Sequence, residues 1–311
     1  MRAFILISMI LAFMPFANGQ IVDTIYVQAV DIKIHTVLTK PENKKKLPLA
    51  IIIAGSGPTD LNGNQLTMSN NSLKYLSDAL VKNQISTLRF DKRGIAGSAI
   101  KGLNEADLKI DNYANDVALL IKYFRHKGYP DVYVIGHSEG SLIGLIALQN
   151  IKAKGFVSVA GVGNSADILL KNQLKPKLPA EYYSKVEILI DSIKNGHNVK
   201  NVPPQLYSLF RPSVQPYLIS WFGYDPARLL KNINCPVMII QGDKDIQVDV
   251  EEAKILKSNS PDAELIIIKN MNHIFKTIEG DVQENVASYT NPDLPVNEDL
   301  VSSIVKFING K

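Results

Sequence analysis

Along the chain, short runs of apolar residues alternate with longer segments in which apolar positions recur every three or four residues. That alternation predicts strands interleaved with helices. The first two runs, TIYVQAV and IKIHTVLTK, mix polar and apolar positions with β-branched residues and read as an antiparallel pair at a sheet edge. LPLAIIIAG at 47–55 is apolar throughout, as a strand covered on both faces must be. In NNSLKYLSDALVKNQ, Leu73, Leu76 and Leu80 fall at helical spacing, and ISTLRFD supplies the next strand. A helix over 111–127 aligns Tyr113, Val117, Leu120, Ile121 and Phe124 behind Asp111 as its cap. A strand at 132–136, a helix at 139–150 and strands at 156–161, 236–242 and 264–269 follow. A last helix, about 296–309, begins near Pro295 and turns Leu300, Ile304 and Phe307 inward. The expected class is α/β, a mostly parallel central sheet with helices on both faces.

One segment breaks the alternation. Between Gly161 and Pro236 lie roughly 70 residues, where a crossover needs only about a dozen or slightly more. The segment reads as mostly helical, and a helical cap inserted at about 163–230 is the expected arrangement. Its aromatic group, Trp221 with Phe222 and Tyr224, is expected to pack this cap onto the sheet.

Composition changes this picture at the N terminus. MRAFILISMILAFMPFANGQ has a basic start at Arg2, an apolar stretch from Ala3 to Phe16 and small residues at Ala17 and Gly19. It reads as a signal peptide over residues 1–19, cleaved to leave Gln20 first, and it implies a secreted or periplasmic protein whose single domain runs from 20 to 311. No later apolar run is long enough to span a bilayer, so no stable membrane insertion is expected. Cys235 is the only cysteine, so no intramolecular disulfide can form. The net charge of +4 comes from scattered residues, and the one cluster, Lys44 to Lys46, reads as a solvated loop. Nothing in it suggests a nucleic-acid partner.

The candidate chemistry lies in VYVIGHSEGSLIG. A serine hydroxyl is a poor nucleophile unless a base takes its proton and donors hold the oxyanion that forms. Gly136-His137-Ser138-Glu139-Gly140, placed between a strand and a helix, lifts the Ser138 oxygen above the sheet and leaves the Glu139 N–H free to donate. Of the five histidines, only His273 lies downstream of the serine in a loop directly after a strand, which makes it the candidate base. QGDKDIQV offers the acid: Asp245 is far enough past the strand to face the histidine loop, while Asp243 more naturally braces the turn and stays as the alternative. A second oxyanion amide should come from AGSGPTD, with Ser56 first and Gly57 second. In DKRGIAGS, Asp91 and Arg93 are expected to form a local ion pair that shapes the loop beside the nucleophile.

With these stretches in hand, the chain resembles the α/β-hydrolases, and among them a secreted bacterial esterase-like branch grouped with S33-type serine aminopeptidases and dienelactone-hydrolase-like proteins. GSGPTDLNGN, DKRGIAGS, GHSEG, LISWFGYDPARLL and QGDKDIQV carry the resemblance, which runs along nearly the whole mature chain. Leu61 and Asn62 stand where the branch has a charged pair, and Ala96 where it has a glycine. The resemblance implies an α/β-hydrolase fold with a Ser138, Asp245, His273 triad and the Ser56 and Glu139 amides as oxyanion hole. It also implies hydrolysis of small-acyl carboxylic esters as small-molecule substrates, with neither metal nor organic cofactor. A peptidase or amidase acting on small peptides is the alternative. An aminopeptidase would need acids to hold a substrate ammonium, for which Glu139 and Asp60 are the candidates. A hydrolase fold kept only as a binding module is a third reading.

Overall fold

A computed structural model describes residues 19–42 and 47–310. The expected signal peptide, apart from Gly19, and the Lys44 to Lys46 cluster lie outside the described residues. Eight strands, β1 (Gln20–Gln28), β2 (Lys33–Pro41), β3 (Leu49–Ile53), β4 (Ser86–Phe90), β5 (Val132–His137), β6 (Gly155–Val159), β7 (Val237–Gly242) and β8 (Glu264–Ile268), form one sheet. Their order is β1-β2-β4-β3-β5-β6-β7-β8. β1 and β2 are an antiparallel edge pair, with Tyr26 opposite His35, and β2 also runs antiparallel to β4. All further pairings are parallel. The continuous apolar runs are therefore the interior strands, and β3, β4, β5, β6 and β7 are buried along their whole length.

The helices are α1 (Ser72–Lys82), α2 (Ile110–His126), α3 (Glu139–Leu148), α4 (Ala166–Leu174), α5 (Ala180–Lys194), α6 (Tyr207–Phe210), α7 (Gln215–Phe222), α8 (Pro226–Leu230), α9 (Val250–Asn259), α10 (Val282–Ser288) and α11 (Glu298–Asn309). Side chains of α2, α3 and α9 build the core on one face of the sheet, and those of α1 and α11 build it on the other. Each Leu, Ile or Phe removed from water in these layers contributes about 1.5–3 kcal/mol before the entropy of ordering the chain is subtracted. α3 is buried at every residue, so the helix that follows the candidate nucleophile has no solvent face along which to shift.

Between β6 and β7 the chain runs through α4 to α8, and α4, α5, α6 and α7 gather a third apolar cluster around Val186, Ile190, Ile193, Phe210 and Phe222. Tyr217 and Trp221 pack against both this cluster and the sheet core. The Tyr224 hydroxyl donates to Asp111 Oδ1 at 2.5 Å. Asp111 is therefore not the cap of α2: that helix starts at Ile110, and Asn112 closes its first turn by accepting from the Lys109 N–H at 2.8 Å. The carboxylate expected to cap the turn instead fastens the helical segment. The short helix α10, capped by Asp281, has no counterpart in the sequence expectations, because Val282 and Val286 of its apolar positions face solvent.

Candidate active site

The turn from β5 to α3 is shaped by close approach. A Cβ on Gly136 would lie 2.5 Å from the Gly140 carbonyl oxygen, and one on Gly140 would collide with the Ile53 carbonyl oxygen of the neighbouring strand. With both positions bare, β5 and α3 meet at a corner too tight for ordinary backbone, and Ser138 takes φ 53° and ψ −121°. A positive φ costs a non-glycine residue about 1–3 kcal/mol, so the surrounding structure must hold it there. It does so through the Ser138 N–H, which donates to the Val159 carbonyl at 2.9 Å, and through fully buried α3.

Asp245 and His273 come from the loops after β7 and β8, at the same carboxyl edge of the sheet. His273 Nδ1 and Asp245 Oδ2 are 2.7 Å apart. Asp245 Oδ2 also accepts from Gln241 Nε2 at 2.9 Å, and Oδ1 accepts from the Gln247 and Val248 amides at 2.8 and 2.9 Å. Burial drives the Asp245 carboxyl upward, but the charge and hydrogen bond of His273 and the two amides together hold it below its ordinary value. The aspartate is thus ionised and fixed on both oxygens. Asp243 is exposed, and its Oδ1 accepts from the Asn270 N–H at 2.6 Å, which ties the two loops together and leaves it away from His273.

His137 joins this pair to the serine turn. Its Nε2 lies 2.9 Å from the His273 carbonyl oxygen, and the two rings pack with centroids 4.8 Å apart. A carbonyl can only accept, so His137 Nε2 carries a proton. Burial, then the neighbouring His273, pushes the His137 imidazole down to about 3, and it stays neutral. The residue before the serine is therefore a brace behind the candidate base. Of the other histidines, His126 and His197 are exposed, and His35 pairs with Asp91 at 2.7 Å on the far side of β4.

The expected Asp91–Arg93 ion pair does not form. Asp91 turns toward β2: besides His35 it accepts from the Leu61 and Gly97 amides at 2.8 and 2.9 Å. Arg93 turns the other way, to Asp116 at 2.7 Å and Asp31 at 2.5 Å. In a continuing strand these two residues would share a face, but the chain leaves β4 after Phe90 and turns at Arg93, and each found a partner on a different element. The residue between them, Lys92, is the one that reaches the nucleophile turn. It is 2 % exposed, and its Nζ donates to the Gly55 carbonyl at 2.6 Å and to Glu139 Oε1 at 3.2 Å, above the Tyr113 ring. The sequence signal for it was three consecutive charges at the end of a buried strand.

Ser138, Glu139, Ser56 and Gly57 open on one cavity of about 600 Å³. Leu142 of α3 and, from the helical segment, Leu169, Leu170, Leu218 and Trp221 make its wall largely apolar, and Arg211 and Tyr217 of the same segment add polar groups. Trp221 accordingly both packs the helical segment and faces the cavity. Among the described residues, neither the Ser56 nor the Glu139 N–H has a protein acceptor, so both are free to bind a ligand oxygen. The two acids of the wall are occupied: Glu139 by Lys92, and Glu105 by Arg211 and Ser213. Asp60 turns into its own loop, accepting from the Asn62 and Asn64 amides at 2.8 and 2.9 Å. No cluster of His, Cys, Asp and Glu suited to a metal ion, and no helix long and apolar enough to cross a membrane, occurs among the described residues.

Residues 66–201 match the family model described as serine aminopeptidase, S33. Esterase EstD of Thermotoga maritima is 25% identical over 248 residues, which are 78% of this chain and 58% of that protein. The chain thus spans little more than half the length of this relative. Among solved structures, Est1E of Butyrivibrio proteoclasticus superposes with a TM-score of 0.60 at 17% identity, covering 93% of this chain and 99% of that one. Proline iminopeptidase of Mycobacterium smegmatis does so with a TM-score of 0.58 at 14% identity, covering 93% and 98%. These structural likenesses establish a common fold.

Proposed function

We propose that the chain is an α/β-hydrolase and a serine carboxylesterase acting on uncharged esters through an acyl-enzyme, a reading supported by the match to the S33 serine aminopeptidase model and by the likeness to Esterase EstD. The observation that carries the proposal is a serine held at positive φ in the corner between β5 and α3, opening on an apolar cavity, with a fixed His273–Asp245 pair linked to the serine turn through His137. In this reading Ser138 Oγ attacks the ester carbonyl and His273 Nε2 takes its proton. The Ser56 and Glu139 amides receive the oxyanion, Gly57 remaining the alternative to Ser56. The alcohol leaves with the proton from His273, and water, activated by the same imidazole, releases the acid and restores the serine. Asp245, bonded to Nδ1, selects the tautomer with Nε2 free to accept and stabilises the imidazolium. The segment from α4 to α8 serves as a cap that keeps water from the acyl group.

Similarity to Esterase EstD supports ester over peptide hydrolysis. So does the pairing of Glu139 and Glu105 with cations and of Asp60 with its own loop, which leaves none of them to hold a substrate ammonium. The fixed His273–Asp245 pair and the strained Ser138 turn also argue against a fold kept only for binding. A panel of p-nitrophenyl acetate, butyrate and hexanoate against aminoacyl anilides tests the choice. Faster turnover of the anilides would reject the esterase reading.

The N-terminal residues carry a second part of the proposal, export with cleavage after Gly19 to the periplasm or the medium. N-terminal sequencing of protein recovered from those compartments should begin at Gln20, and a retained Met1 would reject it.

A further inference from the structure

Lys92 is a buried cation with no place in the serine chemistry. Taking an ammonium out of water costs several kcal/mol, so its retention calls for a role that a neutral side chain could not fill. Its two acceptors belong to the two segments that carry the free amides: the Gly55 carbonyl after β3, and the Glu139 carboxylate at the first residue of α3. The Gly55 carbonyl shares a peptide plane with the Ser56 N–H, and that bond is trans. In a planar trans peptide C=O and N–H point in opposite directions, so fixing the carbonyl fixes where the amide aims. The loop needs such a hold, because Ser56, Gly57 and Pro58 are exposed and Gly57 has φ +74°.

We propose that Lys92 is a positioning residue: by clamping the Gly55 carbonyl to the Glu139 side chain, it aims the Ser56 amide at the oxyanion and keeps the two donor segments in register. The inference rests on the ester-hydrolase reading above. The clamp explains why the cation stands between Asp91 and Arg93. Those two anchor the loop to β2 and α2, so that the Lys92 ammonium arrives at a fixed point under the cavity floor. Tyr113, whose ring lies 5.4 Å from Nζ, completes the enclosure.

The test compares wild type, Lys92→Met and the double variant Lys92→Met/Glu139→Gln, in which no unpaired charge stays buried. Kinetics on p-nitrophenyl butyrate are paired with inhibition by an alkyl trifluoromethyl ketone, which forms an oxyanion on the serine. Removing an oxyanion donor outright costs about 10²–10³ in kcat, so misaiming one should cost about 10–100-fold. Both variants should lose kcat by that factor, with KM within about threefold of wild type, and should bind the ketone more weakly in the same proportion. A role confined to stability would lower the melting temperature without this split. The inference is overturned if the folded Lys92→Met variant keeps kcat within threefold, or if the double variant recovers it, since the loss would then stem from a stranded carboxylate. If Lys92→Met does not fold, the double variant decides alone by the same criterion. A wild-type protein that neither turns over the ester nor binds the ketone would overturn the ester-hydrolase reading itself and this inference with it.

Discussion

Among the described residues the molecule holds two histidine–aspartate pairs of the same length, and only one of them is joined, through His137, to the turn that carries the candidate nucleophile. His273–Asp245 and His35–Asp91 both close at 2.7 Å, and each aspartate also accepts two backbone amides. Each has a serine nearby. The Ser98 hydroxyl, however, accepts from the His35 N–H at 2.8 Å and donates to the Asp91 carbonyl at 2.9 Å, and its side chain is buried against the antiparallel edge of the sheet. Its oxygen is used up in backbone bonds. Ser138 is held at positive φ over the cavity, at the carboxyl edge of the parallel strands. A hydrogen-bonded histidine and carboxylate therefore do not mark a catalytic site. The state of the third oxygen, and the edge of the sheet it occupies, do.

Removing each histidine should separate the pairs most sharply. His273→Gln is expected to lower kcat for p-nitrophenyl butyrate by about 10³-fold or more, because it takes away the base. His35→Gln should leave kcat within about threefold and reduce unfolding free energy by about 1–3 kcal/mol, the cost of losing one of the two bonds to the buried Asp91 Oδ2. Equal rate losses in the two variants would collapse the distinction.

The aspartates give the next contrast. Asp245→Asn should cost about 10³–10⁴ in kcat, since an amide in that place favours the wrong imidazole tautomer. Asp243→Asn should cost less than about threefold, because its side chain only braces the turn at Asn270. A larger loss at Asp243 would make it the acid.

His137 sharpens the comparison by a smaller effect on stability, because only the His273 pair has a second, neutral imidazole behind it. With its imidazole pushed down to about 3, His137 binds a proton more readily in the unfolded chain. Its contribution is complete above the ordinary histidine value of about 6.5 and is lost as pH falls from there toward the folded value. Urea unfolding of wild type and His137→Gln should show the variant's stability less dependent on pH by about 1.4 kcal/mol per unit between roughly pH 6 and 4. Asp245 is depressed from a lower starting point, so its contribution is present above about pH 4 and disappears below. Parallel curves for wild type and His137→Gln would show that His137 titrates normally.

Much of this was legible in the sequence. The apolar runs located β3 to β8, and the order of serine, acid and histidine after successive strands singled out Ser138, Asp245 and His273, because those features are set by local pattern and by distance along the chain. What was not legible depended on which loops meet. Asp91, Lys92 and Arg93 each found partners far along the chain, on β2, α3 and α2, and adjacency in sequence suggested the wrong pair. His137 precedes the serine, and its side chain has to leave it. It leaves toward the back of His273, which only the register of the β8 loop reveals. Asp111 has the sequence position of a cap, but a tyrosine more than a hundred residues away claims its oxygen.

The most direct test of the Ser138 site is labelling with a fluorophosphonate probe, read by intact mass and by the modified peptide. Wild type should gain one adduct, on Ser138, and Ser138→Ala should gain none. Equal labelling of the two proteins, or an adduct on Ser98, would contradict the assignment of Ser138 as the nucleophile.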